Sequence, residues 1–214
     1  MRKAKSDMQN AVGFYWTLPV PWAGFSALPD NIEDAAKVSR TIRYQCKAIR
    51  HYAKARNLRL VAEEVFLEIA PDRGSEYVLE PLRQVAKICR TQNAVLLFVD
   101  FSQVQGWRSH GPLSDWARHA GIDIGPVYPD ERLIDGKTFD PHAHFSEWRE
   151  RQHEWIEGKQ ERLACALTHA IRLRTEGRTH KAVAEEMNAT LIRSATGKPW
   201  TAESIRKLVS AASE

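Results

Sequence analysis

The residues best suited to chemistry are six cations near the C-terminal end: Arg178, Lys181, Arg193, Lys198, Arg206 and Lys207. They are set around two threonines, Thr179 and Thr201, that stand where helices would open. A Thr at an N-cap accepts a hydrogen bond from an otherwise orphaned backbone N–H. The stretch 177–208 therefore predicts two short helices joined by a polar turn. Val183 and Met187 face inward from the first, with Asn188 near its exit, and Ile205, Leu208 and Val209 face inward from the second. This leaves Ala202, Glu203, Arg206, Lys207 and Ser210 outside. Such a pair is the pattern of a helix-turn-helix whose last helix enters the DNA major groove. Thr201, Glu203, Ser204, Arg206 and Lys207 would lie nearest the bases, at a helix end that also favours phosphate. Arg178, Lys181, Arg193 and Lys198 would hold phosphates without reading sequence. The plainer alternative is a three-helix bundle with a solvated basic surface.

Other chemistries are weaker. His142, His144 and His153 suggest a metal, but His-x-His at a helix start points its rings to different faces and no carboxylate completes the set, so ordinary surface histidines are expected. Gly106 and Gly111 do not have the spacing of a phosphate-binding loop. No metal and no cofactor are expected. Asp100 ends an apolar strand, a place where parallel sheets bind ligands, although a loop-capping Asp has the same signature. Tyr15, Trp16, Trp22, Phe25 and Trp107 form an aromatic group large enough to fill a cleft or dock a partner.

The 214 residues suffice for one sizeable domain and a small appendage. Hydrophobic residues make up 43% and charged residues 27%, as in ordinary globular chains. The net charge of +4 leans weakly toward polyanions. Residues 161–214 hold nine Lys or Arg against six Asp or Glu, so much of the excess is C-terminal. Cys46, Cys89 and Cys165 are far apart and form no Cys-x-x-Cys pair, which argues against a zinc ribbon or a disulfide framework. No apolar run has transmembrane length, and the basic start at Met1–Lys5 is followed by polar residues rather than a signal-peptide core. A cytoplasmic, nucleoid-associated protein without membrane partners is the expectation.

The elements that must position these residues can be read from periodicity. Strands are predicted at Val12–Leu18, Leu58–Leu67, Ala94–Phe101 and Ile122–Val127. The third is nearly all apolar, as suits a strand covered on both faces. Helices are predicted from Asp30 or Asn31 to about Asn57 (with Ala35, Val38, Ile42, Ile49 and Ala53 inward), over Glu76–Arg90, and over Leu113–His119. Pro71–Ser75 reads as a turn, and Asp135-Gly136 as the tip of a small hairpin. The alternation predicts an α/β fold with a small parallel four-stranded sheet. Asp140-Pro141 opens a long helix that Gly158 bends and Gly177 ends. Three domains are expected: residues 1–140, a connecting helix over 141–176, and a helix-turn-helix over 177–214.

This order of parts resembles the resolvase/invertase family of serine recombinases. Phe14–Pro19 resembles the family's Tyr-x-Arg-x-Ser strand. Thr41–Gln45 resembles its Ser-x-x-x-Gln helix, Glu80-Pro81-Leu82 its Arg-Pro-x-Leu, and Asp100–Val104 its Asp-Arg-x-x-Arg. Val183–Asn188 and Gly197–Thr201 resemble the Ile-Ala-x-x-Leu-Asn and Gly-x-x-Trp-Thr signatures of its DNA-binding end. The family cleaves DNA through a Ser nucleophile, with arginines stabilising the charge of the transition state. At the matching positions this chain has Pro19 for the Ser and Thr17, Glu80, Phe101 and Val104 for the arginines. The resemblance therefore implies no catalytic residues, double-stranded DNA as partner, and a degenerate site in a dimeric regulator or architectural factor. The dimer would be a homodimer, or would include another recombinase-family subunit. In such an architecture the long helix dimerises, through Trp148, Trp155, Leu163 and Leu167. The alternative is an atypical recombinase with a displaced nucleophile; Ser26, Ser39, Arg73 and Arg108 are its candidates, although Ser39 is expected inside a helix.

Overall fold

The computed structural model describes residues 8–69, 74–104 and 110–211. Trp107, Arg73, Arg108, Gly106 and the basic start fall outside the described residues. The described chain is mixed α/β, with eight α-helices, a parallel four-stranded sheet and a separate antiparallel pair.

Four strands build the sheet: β1 (Gln9–Thr17), β2 (Leu58–Leu67), β3 (Ala94–Val99) and β4 (Ile124–Val127), in the order β2-β1-β3-β4. All three pairings are parallel. The central β1 is buried from Ala11 to Thr17, because helices cover both faces of a parallel sheet. The expected strands are all present: β2 matches at both ends, and the others differ by at most three residues at an end.

Between β1 and β2 the sequence predicts one helix, and the structure has two: α1 (Ile32–Val38) and α2 (Arg40–Ala55). Ser39 is the break. It ends α1 in an extended conformation (φ −120°, ψ 116°) and caps α2 by accepting from the Ile42 N–H. Ser39 is thus not inside a helix. The break also resets the helical phase, which is why Val38, expected inward, is 55% exposed. Asn31 caps α1, as read from the sequence.

Helix α3 (Leu79–Gln92) buries Leu82, Val85, Ala86 and Cys89, and α4 is Gly111–His119. The hairpin β5 (Arg132–Ile134) and β6 (Lys137–Phe139) turns at Asp135-Gly136, where both residues have positive φ, as a type I′ turn requires. It is fastened to α2 by an Arg43–Asp135 ion pair and by Arg40 donating to the Thr138 carbonyl. Asp140 caps α5 (Pro141–Glu157) through the His142 and Ala143 N–H groups. Gly158 breaks rather than bends the expected long helix, and α6 is Lys159–Thr175. Then follow α7 (His180–Ala189) and α8 (Ala202–Ser210). No helix among the described residues is long and apolar enough to cross a membrane.

The chain divides into two compact units. The first holds residues 1–19 and 27–146. The second holds Val20–Ser26 together with Glu147–Glu214. The boundary near residue 146 lies between the two candidates legible in the sequence, Asp140 and Gly158. The assignment of Val20–Ser26 to the second unit has no signal in the sequence.

Candidate nucleic-acid interface

The second unit is organised by one apolar cluster. Ala166, Ala170 and Leu173 of α6, Val183, Ala184 and Met187 of α7, Trp200, and Ile205 of α8 are all buried, with Leu163, Ile192, Leu208 and Val209 packed against them. Val183, Met187, Ile205, Leu208 and Val209 are the residues that the sequence turns inward. Thr179 caps α7 through the Ala182 N–H. Thr201 and Ser204 form a reciprocal capping box at the start of α8, satisfying donors that a helix end leaves orphaned.

The turn between α7 and α8 is fixed by a contact that spacing alone does not reveal. The Asn188 amide donates to the Trp200 carbonyl at 3.0 Å and accepts from the Trp200 N–H at 2.8 Å, while the indole N–H donates to the Ile192 carbonyl. Gly197 holds φ at +76°, and a Cβ there would lie 2.5 Å from the Pro21 backbone. Pro21 belongs to the short strap Val20–Ser26. The strap is folded on itself by paired backbone bonds between Val20 and Phe25.

The nine residues expected to meet DNA fall into distinct groups. Glu203, Arg206 and Lys207 lie exposed on α8, opposite the buried Ile205. Arg206 donates twice to Glu203, at 2.8 and 2.6 Å, and the Lys207 ammonium lies 3.7 Å from the same carboxylate. The Arg206 hydrogen bond, with the charges beside it, holds the Glu203 carboxyl below the usual carboxylate range. Glu203 in turn pushes the Arg206 guanidinium up. The Thr201 and Ser204 hydroxyls are spent on the helix start. Arg178 is paired with Glu186 at 3.4 Å and Glu176 at 3.7 Å. Arg193 lies against Gly24 of the strap, where a Cβ would stand 2.8 Å from the guanidinium carbon. Lys181 and Lys198 are exposed and form no ion pair among the described residues.

The residues expected at the dimer face are largely used within their own unit. Trp148 is buried and meets Trp22 with ring centroids 6.0 Å apart. The Trp155 ring lies under the Arg162 guanidinium, Leu163 packs on the apolar cluster, and Leu167 is half-buried. Ile156 and Ile171 remain exposed on α5 and α6.

No protein-family model, curated protein or solved structure matches this chain.

In the first unit, three of the five positions singled out by the resemblance are occupied by packing residues. Thr17, Phe101 and Val104 are buried. Phe101 meets Trp16 and Phe145 edge-on, with centroids 5.6 and 4.8 Å apart. Trp16 and Tyr15 are buried, so these members of the aromatic group fill core. Glu80 is exposed and paired with Arg83. The Asp100 carboxylate accepts from the Ser102 N–H and hydroxyl, the loop-capping role. The Ser39 hydroxyl is buried between Thr17 Oγ1 at 3.3 Å and the Ile42 N–H. His153 pairs with Glu157 on the surface. His144 is not a surface histidine: it is half-buried and bonded to Thr41 Oγ1 at 3.0 Å. No group of three or more His, Cys, Asp or Glu residues converges among the described residues.

Sequence reading missed one buried polar cluster at the C-terminal edge of the sheet. Glu68 follows β2 and is fully buried. Its carboxylate accepts from the Ile69 and Ser75 N–H groups and lies 2.7 Å from His110 Nε2. The Leu113 N–H donates to His110 Nδ1, so Nε2 carries the ring hydrogen. Both imidazole nitrogens are engaged, which leaves neither for general-base work. The available signal was an acid directly after an apolar strand at the sheet edge.

Proposed function

We propose that the second unit binds double-stranded DNA as a helix-turn-helix, with α8 in the major groove and a second copy of the chain setting the half-site spacing. The observation that carries this reading is the division of α8: Ile205 buried in the three-helix core, and Glu203, Arg206 and Lys207 exposed together on the other side, beginning within the first turn after a capped N-terminus. That is the face a recognition helix presents to base edges and phosphates. Lys181 and Lys198, exposed and unpaired, are the next candidates for phosphate contacts. Arg178 and Arg193 are already engaged and contribute less. Dimerisation would use the exposed Ile171 with Leu167 one turn before it on α6, and Ile156 of α5, rather than Trp148 or Leu163.

The likeness of the chain's order of elements and motifs to resolvase/invertase proteins supports a shared origin with DNA-handling proteins. Packing residues at positions 17, 101 and 104 favour a regulatory or architectural role over strand cleavage. The test is an electrophoretic shift assay on the full chain with duplexes of mixed sequence at several salt concentrations. Arg206→Ala with Lys207→Ala should weaken retention and flatten the salt dependence. Unchanged binding and slope in the double variant overturn the assignment of α8.

A further inference from the structure

We infer that the second unit also carries a nucleotide-binding cleft, separate from the exposed face of α8, that takes an unpaired base with its phosphate. The cleft has a volume of about 400 Å³ and is lined by Trp22, Arg151, Glu154, Trp155 and Arg162. All five residues belong to the second unit.

Its floor is a flat stacked pair. The Arg162 guanidinium carbon lies 3.6 Å from the centroid of the Trp155 ring, and the same guanidinium donates to the Trp155 carbonyl at the end of α5. At Gly158, between the two helices, a Cβ would lie 3.0 Å from Arg162 Nη1, so the bare glycine leaves the guanidinium room over the ring. Trp22, tilted against Trp148, supplies a second indole. Aromatic rings and guanidinium planes are the surfaces on which unpaired bases stack.

One donor beside the cleft is unsatisfied. Arg162 Nε is buried and bonds to nothing among the described residues, and burial lowers the pKa of the group. The rest of the half-buried guanidinium is engaged by Trp155, and Glu154, although it lines the cleft, forms no ion pair with it among the described residues. Arg151 is exposed and forms no ion pair among the described residues. Arg151 takes the phosphate charge, a base lies on the aromatic surface, and Glu154 can accept from a base N–H such as thymine N3–H. A bare inorganic anion would leave both indoles without a role. The inference does not rest on the duplex-binding reading, because none of its residues is on α8.

The experiment uses the full chain and three probes: thymidine 5′-monophosphate, a fluorescein-labelled (dT)12 strand, and inorganic phosphate. Calorimetry and fluorescence anisotropy are the readouts. Binding of the mononucleotide or of (dT)12, none of phosphate at the same concentration, and a loss of about tenfold in Trp22→Ala and in Arg151→Ser are the expected results. Affinity for (dT)12 more than tenfold above the mononucleotide assigns the occupant to single-stranded nucleic acid, and equal affinities assign it to a free nucleotide. Arg151→Ser guards against a folding defect in Trp22→Ala, because Arg151 is exposed. Four results overturn the inference: neither probe binds, phosphate binds as well as the nucleotide, Arg151→Ser retains full affinity, or Arg206→Ala with Lys207→Ala abolishes (dT)12 binding. Failure here with duplex binding intact leaves the α8 reading untouched, and the converse result separates the two equally well.

Discussion

Glu203 is the most informative single residue on the proposed DNA-reading face. Its carboxylate takes both Arg206 hydrogen bonds and sits 3.7 Å from Lys207, so the face partly neutralises itself when no DNA is present. Glu203→Gln removes a negative charge from that surface and releases two cations toward phosphates. Each phosphate neutralised adds about 0.9 to the slope of log affinity against log salt. One newly engaged cation therefore increases the affinity drop across a fourfold salt range by about 3.5-fold, and two by about 12-fold. The assay is an anisotropy titration of a mixed-sequence duplex from 50 to 200 mM salt, wild type beside variant. Mixed sequence matters, because a Glu can also accept from cytosine N4, and a specific site would blend lost reading with gained charge. Tighter binding at low salt with a steeper slope is expected. Equal slopes and equal affinities, or weaker binding at low salt, would show that these cations never reach phosphate.

Two further predictions concern stability. Asn188→Ala removes both bonds to Trp200 and should cost the second unit about 2 kcal/mol, read as a lower urea midpoint; an unchanged midpoint would mean that the turn holds without them. Burial pushes the Cys46 thiol up to about 12, raises Cys89, and lifts Tyr15 and Tyr44 far above the usual phenol range. The native state thus disfavours every one of these anions. Stability from these groups should be complete below the ordinary thiol range and fall as pH rises toward 12. Thiol labelling at neutral pH should reach the exposed Cys165 alone, with all three cysteines reacting in denaturant. Rapid labelling of Cys46 in the folded chain would contradict its burial.

The sheet was legible because each strand is a compact apolar run: AVLLFVDF could scarcely be read otherwise, and Leu58–Leu67 matches to the residue. The hairpin was legible because Asp-Gly has one preferred turn. The helix ends at Thr179, Thr201 and Asp140 were legible because capping is local chemistry. What escaped was of two kinds. Ser39 hid a helix break because the apolar periodicity nearly survives it, and only the misplaced Val38 betrays the change of phase. Glu68 with His110, Asn188 with Trp200, and the strap on Gly197 join residues 42, 12 and 176 positions apart, and no window of neighbouring residues contains them. The candidate DNA face was read correctly as a surface. Its internal pairing, which decides which cations are available, depends on side-chain geometry that residue spacing does not carry.

The strap has a consequence for anyone who would dissect the molecule. Because Val20–Ser26 belongs with Glu147–Glu214, no single cut of the polypeptide frees that unit whole. A fragment starting at Glu147 would keep α6, α7 and α8 but lose the Pro21 backbone that Gly197 was left bare to receive, and Arg193 would lose its seat on Gly24. Such a fragment should melt early and recover when a peptide spanning residues 20–26 is added back. The gene's linear order, in other words, interleaves two folding projects, and the ribosome delivers the first piece of the later one long before the rest exists.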